Sequence, residues 1–310
     1  MKKRILITGG FGMIGRRLSE QIKNSKNSLM VVDNFSSKLK PVKGVKFSKT
    51  NILNEKSLLK IFKTFKPNIV VHLAAIHHIP TCEKKRSFSQ KVNILGTEIL
   101  LKYCEIFKVK KFVLASSGAV YNWQKQKLSE NITKLDPSDN YSMCKFSNEV
   151  QLKLWTQRTL GTGIVARIFN TIGYDDPNSH LLPDILKQID LNRKINRITL
   201  GNMKPKRDYI DADDVASALN KMINYKKAGY SIFNICCGKE YSVKDIINIL
   251  EKILKIKIFT KSINSKKRKI DRLSQLGSNK KIKNKLKWSA KLNLISTLQK
   301  YIYERKKYIF

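Results

Sequence analysis

A tyrosine and a lysine four residues apart, Tyr141 and Lys145 in "YSMCK", share one face of any helix that carries them. A phenol titrates near ~10 in water and is a poor base at neutral pH. Lowering that pKa by about three units takes roughly 4 kcal/mol of differential stabilisation, within the reach of two adjacent cations in a closed cleft. Upstream, "SSGAVY" (Ser116 to Tyr121) ends an apolar run, and the Ser117 hydroxyl is suited to holding a substrate oxygen near that base. Together the three side chains offer deprotonation of an alcohol. That is half of an oxidation and calls for a hydride acceptor.

The acceptor's place is marked at the other end of the chain. "ILITGGFGMIG" runs from an apolar strand into a helix beginning near Met13. Gly9 permits a tight turn, Gly12 lets backbone amides approach a pyrophosphate, and Gly15 lets the helix pack closely on the sheet. The helix N-terminus then offers unpaired amides and partial positive charge to phosphates. Asp33, at the end of "VVD", is placed to accept both hydroxyls of an adenosine ribose. A 2′-phosphate beside that carboxylate would be repelled, and no Arg follows directly to receive it. The expected cofactor is NAD and not NADP.

These residues need a scaffold, and the chain alternates strand and helix patterns to supply one. "RILIT", "SLMVVD", "VKFS", "NIVVHLAA", "KKFVLASS" and "GIVARIF" read as buried strands. Helical patterns cover Met13 to Lys23, Glu55 to Phe65, Ser87 to Phe107 and Tyr141 to Leu160. Such alternation predicts an α/β, Rossmann-like, doubly wound parallel sheet with both faces covered. After Asn170 the pattern loosens into "LLPDILKQIDLN", "NRITLG", "DADDVASALNKMINY", "YSIFNICC", "SVKDIINILEKIL" and "KIKIFT". The expectation is an NAD-binding domain over 1–170 and a smaller C-terminal α/β substrate lobe over 171–310, partly interleaved with the first. The ligand cleft would lie between them, at the carboxyl ends of the strands.

The 310 residues are enough for a large core. A net charge of +39 points to anionic ligands, but Lys is abundant in every segment and no aromatic-interleaved basic module stands out. A phosphate-bearing substrate is therefore expected in preference to nucleic acid. Cys82, Cys104, Cys144, Cys236 and Cys237 show no ligand spacing and suit a reducing compartment. No stretch approaches membrane-span length and the apolar run at the N-terminus is too short for a signal peptide, so the expected location is cytoplasmic.

The ordered set "TGGFGMIG", "VVDNFSS", "HLAA", "NILGT", "SSGAVY", the Tyr141/Lys145 pair, "RIFNTIG", "RDYIDADDVA" and "SVKDII" resembles the extended short-chain dehydrogenase/reductases of the NAD-dependent epimerase/dehydratase family, most of all their UDP-glucose 4-epimerases. The resemblance covers nearly the whole chain. It implies that Tyr141 is the base, that Lys145 holds the nicotinamide ribose, and that Ser117 binds the reacting hydroxyl. Around the cofactor it implies Gly9, Phe11, Gly12, Met13, Ile14, Gly15, Asp33, Asn34, Asn51, Ile52, Leu73, Ala74, Ala75 and Asn93. For the nucleotide-sugar substrate it implies Asn170, Arg207 and Arg268 on the diphosphate, Asp271 on the nucleotide ribose, and a further polar contact at His180. A homodimer packed through the helices beginning near Ser87 and Tyr141 is implied as well.

Some positions depart from the family pattern. Gly118 and Ala119 stand where dehydratases carry an Asp-Glu pair and where decarboxylases have a Glu, and neither can move a proton. Asn122 replaces a Gly, Asn51 an Asp, and Cys144 a Ser. His77 and His78 are unusual; adjacent histidines on a loop are expected to point apart, which favours a substrate-lining or surface role over a metal pair. His180 is left between a diphosphate contact and a helix cap. The favoured activity is inversion of a nucleotide-linked hexose at carbon 4. Its rivals are a net NAD-dependent oxidation of a nucleotide sugar and a non-catalytic dinucleotide- or RNA-binding protein.

Overall fold

A computed structural model describes residues 2–122, 126–178, 180–266 and 273–306. The first half runs β1 (Arg4–Thr8), α1 (Met13–Lys23), β2 (Ser28–Asp33), β3 (Lys46–Lys49), α2 (Glu55–Phe65) and β4 (Ile69–His72). Then come α3 (Ile79–Lys84), α4 (Arg86–Gln90), α5 (Gly96–Ile106), β5 (Lys111–Ser117), α6 (Asn140–Thr159) and β6 (Thr162–Ile168). The second half holds β7 (Asn170–Ile172), α7 (Leu181–Lys187), β8 (Ile195–Leu200), β9 (Lys206–Asp211), α8 (Ala212–Asn224) and β10 (Gly229–Ile235). It closes with β11 (Glu240–Ser242), α9 (Val243–Leu254), β12 (Lys257–Ser262), β13 (Ser274–Gln275), α10 (Lys280–Leu286) and α11 (Leu294–Lys306).

Seven strands form one sheet in the order β10-β6-β5-β4-β1-β2-β3, every neighbouring pair parallel. Its inner strands are apolar on both sides because both sides are covered; the edge strand β3, expected from "VKFS" to be buried, is instead largely exposed, since only β2 pairs with it. Ile5 and Ile7 of β1 enter one core with α1 and α8, while Leu6 between them enters the opposite core with α2 and α5. Val70 of β4 and Val165 of β6 divide from their neighbours in the same way. The sheet is wound outward from β1 in both directions, so a crevice opens where the chain leaves β1 and β4 side by side.

Residues beyond Asn170 return to this sheet as β10, and α8 packs beside α1 on one face. Ile282 and Leu286 of α10 join the first core, and most of the remainder gathers round a third, with β7, β11 and β13 flanking β9, and β12 beside β8. The sequence pattern shows none of β7, β9, β11 or β13: β7, β11 and β13 are only two or three residues long, and β9 interleaves charged residues with apolar ones. The expected helix through Asn192 stops at Lys187, because Gln188 turns aside to bond the backbone of Thr199 through both its amide atoms.

The helix expected over Ser87 to Phe107 runs without a gap from Arg86 to Ile106, as α4, one π-helical turn (Lys91–Leu95) and α5. Helix α6 is capped by a reciprocal pair, Asp139 accepting from the Ser142 amide and Ser142 from the Asp139 amide. Its central residues are clamped to the sheet. Glu149, buried, accepts from Ser116 of β5 at 2.5 Å and from Arg167 of β6 at 3.0 and 2.7 Å. Removing one member of a buried pair leaves the other charge uncompensated. Glu149→Leu should therefore cost about 3–5 kcal/mol in urea unfolding, whereas a loss under ~1 kcal/mol, the value of an exposed pair, would show that this clamp is not structural.

Candidate active site

The turn after β1 is held by close backbone approach. Gly9 has φ +68°, and a Cβ there would also lie 2.7 Å from the Ala74 nitrogen. A Cβ on Gly15 would meet the Gly9 carbonyl at 2.3 Å, so this glycine packs α1 against the turn itself, and not against the sheet as the spacing suggested. Gly12 differs from both. Its Cβ would touch only the Gly9 carbonyl, at an ordinary 3.4 Å, so nothing in the chain requires a glycine there. Gly12 is also the N-cap of α1 and has no side chain to satisfy the first amides of the helix. The place is a cradle for an anion, and the residues present fit a pyrophosphate.

Asp33 is aimed by two backbone amides, Phe11 onto Oδ2 at 2.9 Å and Phe35 onto Oδ1 at 2.7 Å. Each oxygen keeps acceptor capacity for a ribose hydroxyl. On the other wall of the crevice, Leu73 donates to the Thr8 carbonyl at 3.0 Å, which sets Leu73, Ala74 and Ala75 beside the glycine turn. Met13 packs against Gly173, and Ile14 lies against the core under β1. Asn34 and Asn51 each bind a backbone amide two residues on, Ser36 and Leu53. Ile52 is buried against Gly96 of α5.

Behind this wall runs a chain of hydrogen bonds. The Thr97 hydroxyl donates to the Asn93 carbonyl at 2.6 Å, so His72 Nε2 must donate to Thr97 at 3.0 Å, and Nδ1 accepts from Thr8 at 2.6 Å. Burial, then the Lys145 charge, lowers the His72 pKa to about 3, and the ring is a neutral strut between β1, β4 and the π-turn. Asn93 is engaged elsewhere. Its amide receives the Ile76 amide at 2.8 Å, donates to the Ile76 carbonyl at 2.9 Å, and hydrogen-bonds the Cys144 thiol. It fixes the wall of the cleft, so its bearing on a cofactor is through Ile76.

Ser117, Tyr141 and Lys145 come together. Ser117 Oγ accepts from the Ala119 amide at 3.1 Å and hydrogen-bonds Tyr141. Lys145 Nζ is 5.8 Å from the centre of the tyrosine ring and donates to the Ala115 carbonyl at 2.7 Å. The expected electrostatics need correction for the protein alone. Burial pushes the Tyr141 phenol well above its ordinary range, against the opposing hydrogen bond from Ser117. Burial also pulls the Lys145 pKa down to about 8. The chain has desolvated both groups, and positive charge beyond that of Lys145 has to arrive with the ligands to favour a phenolate.

On the substrate side, Asn170 Nδ2 donates to Gln275 Oε1 at 2.5 Å and Arg207 Nη1 to the Lys206 carbonyl at 2.9 Å. Arg268 and Asp271 lie outside the described residues. Gln275 and Phe169 were missed by the sequence reading. They press on Gly118; Phe169 stands inside "RIFNTIG" without being singled out there, and Gln275 lies in no motif. His77 and His78 do not point apart. Both rings face His180, with centroids 6.0 and 5.6 Å away. His77 accepts from Asn178 at 3.0 Å, and the His78–Thr81 contact is 2.9 Å. His180 is the N-cap residue of α7 but makes no side-chain capping bond. No group of three or more His, Cys, Asp or Glu among the described residues has a geometry that could hold a metal.

Comparison with known proteins places this geometry. Residues 5–236 match the NAD dependent epimerase/dehydratase family. A dTDP-D-glucose 4,6-dehydratase of Dictyostelium discoideum is 30% identical over 278 residues, which is 83% of this chain but only 62% of that protein's length. A UDP-glucose 4-epimerase of Halalkalibacterium halodurans is 27% identical over 96% of this chain and 94% of its own. Among solved structures, the UDP-glucose 4-epimerase of Thermotoga maritima with UDP-glucose superposes with a TM-score of 0.89, at 26% identity over 99% of both chains.

Because only a ligand can require Gly12, Gly12→Ala should leave the melting temperature within about 2 °C and weaken NAD binding at least ~10-fold by calorimetry. Unchanged affinity would mean that the pyrophosphate sits elsewhere. Gly15→Ala should instead fail to fold.

Proposed function

The chain belongs to the NAD-dependent epimerase/dehydratase family, and we propose that it inverts carbon 4 of a nucleotide-linked hexose, with UDP as carrier, through a transient 4-keto sugar. One observation carries the choice among the family's reactions. The position after Ser117 is a glycine packed tightly, where a Cβ would lie 3.0 Å from the Phe169 ring and 3.1 Å from Gln275 Nε2, and it carries no acid. Eliminating water across carbons 5 and 6 needs a side chain there that gives and takes a proton. This chain has Gly118 and Ala119.

When bound, NAD takes hydride from carbon 4 and returns it to the opposite face. The chain's residues do the rest. Ser117 holds the O4 hydroxyl beside Tyr141, and Tyr141 removes its proton as the ketone forms. Lys145 places positive charge under the tyrosine ring. Asn170 and Arg207 face the diphosphate, the guanidinium fork being matched to two phosphates. Similarity to the two UDP-glucose 4-epimerases supports UDP as the carrier.

The partner best suited to α4, α5 and α6 is a second copy of this chain. Phe88, Leu95, Val150 and Leu154 are each between 41% and 53% exposed on these adjoining helices. Gln151 bridges them at the surface by bonding Glu98 and the Ile94 carbonyl. Apolar side chains on neighbouring helices make a patch suited to a four-helix contact. Sedimentation should show a dimer that Leu154→Glu converts to monomer, and a monomeric parent chain would remove this reading.

Purified protein should interconvert UDP-galactose and UDP-glucose with no added cofactor. Tyr141→Phe should lower the rate by about 10²-fold or more. Lys145 loses its proton as pH rises through about 8, so kcat/KM of the wild type should fall on the alkaline side from there. Full activity in Tyr141→Phe would exclude the phenol as base. Stoichiometric build-up of reduced nicotinamide would instead identify a net oxidoreductase.

A further inference from the structure

One outer face combines positive charge with an aromatic ring, and the active site uses neither. Strands β8 and β12 pair in parallel, with Lys257 beside Ile195, Phe259 beside Arg197 and Lys261 beside Thr199. The residues between them, Asn196, Ile198 and Ile258, are buried, the two isoleucines in the third core. The six registered residues therefore point the other way, away from that core. Three of them are cations and none is acidic. The Phe259 ring is 52% exposed in the middle of this face, and the Arg197 guanidinium lies over it, 5.8 Å from its centre.

Two other exposed phenylalanines have an account already. Phe47 packs on the rings of Phe11 and Phe35, and Phe88 belongs to the helical patch suited to a second copy of this chain. Phe259 stands instead between two lysines of its own strand and a guanidinium of the next. Glu251 offsets Lys257 in part, from 3.6 Å, while the same oxygen accepts from the Ile258 amide at 2.8 Å. The turns leading into the two strands add Arg193, Lys194 and Lys255, all exposed, with Arg193 paired to Asp190 at 3.2 Å. A single nucleotide-sugar substrate accounts for little of a net charge of +39.

We propose that the outer face of β8 and β12 binds single-stranded RNA. A base stacks on the free side of the Phe259 ring, and Arg197, Lys257 and Lys261 take the phosphates on either side. Lys257 to Lys261 span about 13 Å along the strand, so the contact is with a short run of nucleotides and tolerates any sequence. The partner is unpaired because a duplex hides the faces of its bases in its own stack, out of reach of a ring on a flat sheet. Unpaired strands in cells are chiefly RNA. An anionic bilayer fits less well: inserting Phe259 would carry the guanidinium seated on it towards hydrocarbon, whereas a stacked base leaves that charge among phosphates. Basic and aromatic residues did not stand out together in the sequence because the module is divided between two distant segments and forms only when the strands pair. The proposal is independent of carbon 4 inversion.

Fluorescence anisotropy with a labelled RNA of about 12 nucleotides, mixed A and U, tests it. Binding should weaken as salt rises, and Lys261→Ala should make the slope of log K against log salt shallower by about 0.7. Phe259→Ala should weaken binding about 10-fold with the slope unchanged, and Phe259→Tyr should restore it. The duplex of the same sequence should bind less tightly than the single strand. All three substitutions are on the surface, so melting temperatures should stay within about 2 °C and turnover of UDP-galactose should not change. If Phe259→Ala does not fold, the Lys261→Ala slope and the duplex comparison decide.

No RNA binding at about 50 mM salt overturns the proposal. Wild-type affinity in Phe259→Ala overturns it too, by assigning the binding to diffuse charge, and so does equal affinity for the duplex. Binding to phosphatidylcholine–phosphatidylserine vesicles without binding to RNA would make this a membrane face instead. RNA binding that depends on Phe259, in a protein that turns over no nucleotide hexose, supports the face and removes the carbon 4 reading alone.

Discussion

Lys145 reaches the carbonyl of Ala115, and four residues along the same helix Glu149 holds Ser116 and Arg167. These bonds fix the rotation of α6 about its axis and its height above β5. Tyr141 lies one turn before Lys145 and Ser117 ends β5, so the same bonds set the distance between the proposed base and Ser117. Arg167 also stacks on the Tyr121 ring, 4.6 Å from its centre, which extends the clamp to the loop after Ser117. A catalytic geometry built from one helix and one strand needs such a clamp, because each alone can slide on the sheet. Burying the lysine at the join has a cost, visible in its lowered proton affinity.

The protein alone is not poised for chemistry. Burial raises the phenol and lowers the ammonium, the opposite of an activated pair. The arrangement makes reactivity conditional on occupancy: a desolvated tyrosine responds strongly to any positive charge brought beside it, since little water remains to screen the interaction. The unfavourable resting state and the responsive loaded state therefore have a common origin in the same loss of water.

Much of this was legible in the residues. Met13 to Lys23 and Glu55 to Phe65 form helices with the expected bounds, because amphipathic periodicity and a glycine or asparagine start leave little choice. Five strands of the sheet, β1, β2, β4, β5 and β6, read as apolar runs because both faces are mostly buried. Ser117, Tyr141 and Lys145, which the fold brings together, were marked by spacing plus order. What stayed hidden depends on contacts between distant segments. Gln275 and Phe169 matter only because they crowd Gly118, and His180 meets His77 only because two loops face one another across the cleft. The π-turn at Lys91–Leu95 follows from no local propensity; it coincides with Asn93 being drawn onto the backbone of Ile76. Desolvation of Tyr141 and Lys145 in the protein alone was not legible, because the sequence lists charges but not their burial.

The edge strand β10 is built from residues 229–235, yet its only neighbour in the sheet is β6, which ends at Ile168. During synthesis the first six strands leave the ribosome with β6 as a bare margin. Its backbone groups have to wait for some sixty more residues before a partner appears. Until then the nascent chain presents an apolar, hydrogen-bonding rim to any other extended peptide, and a polypeptide interrupted before residue 229 would keep that rim permanently.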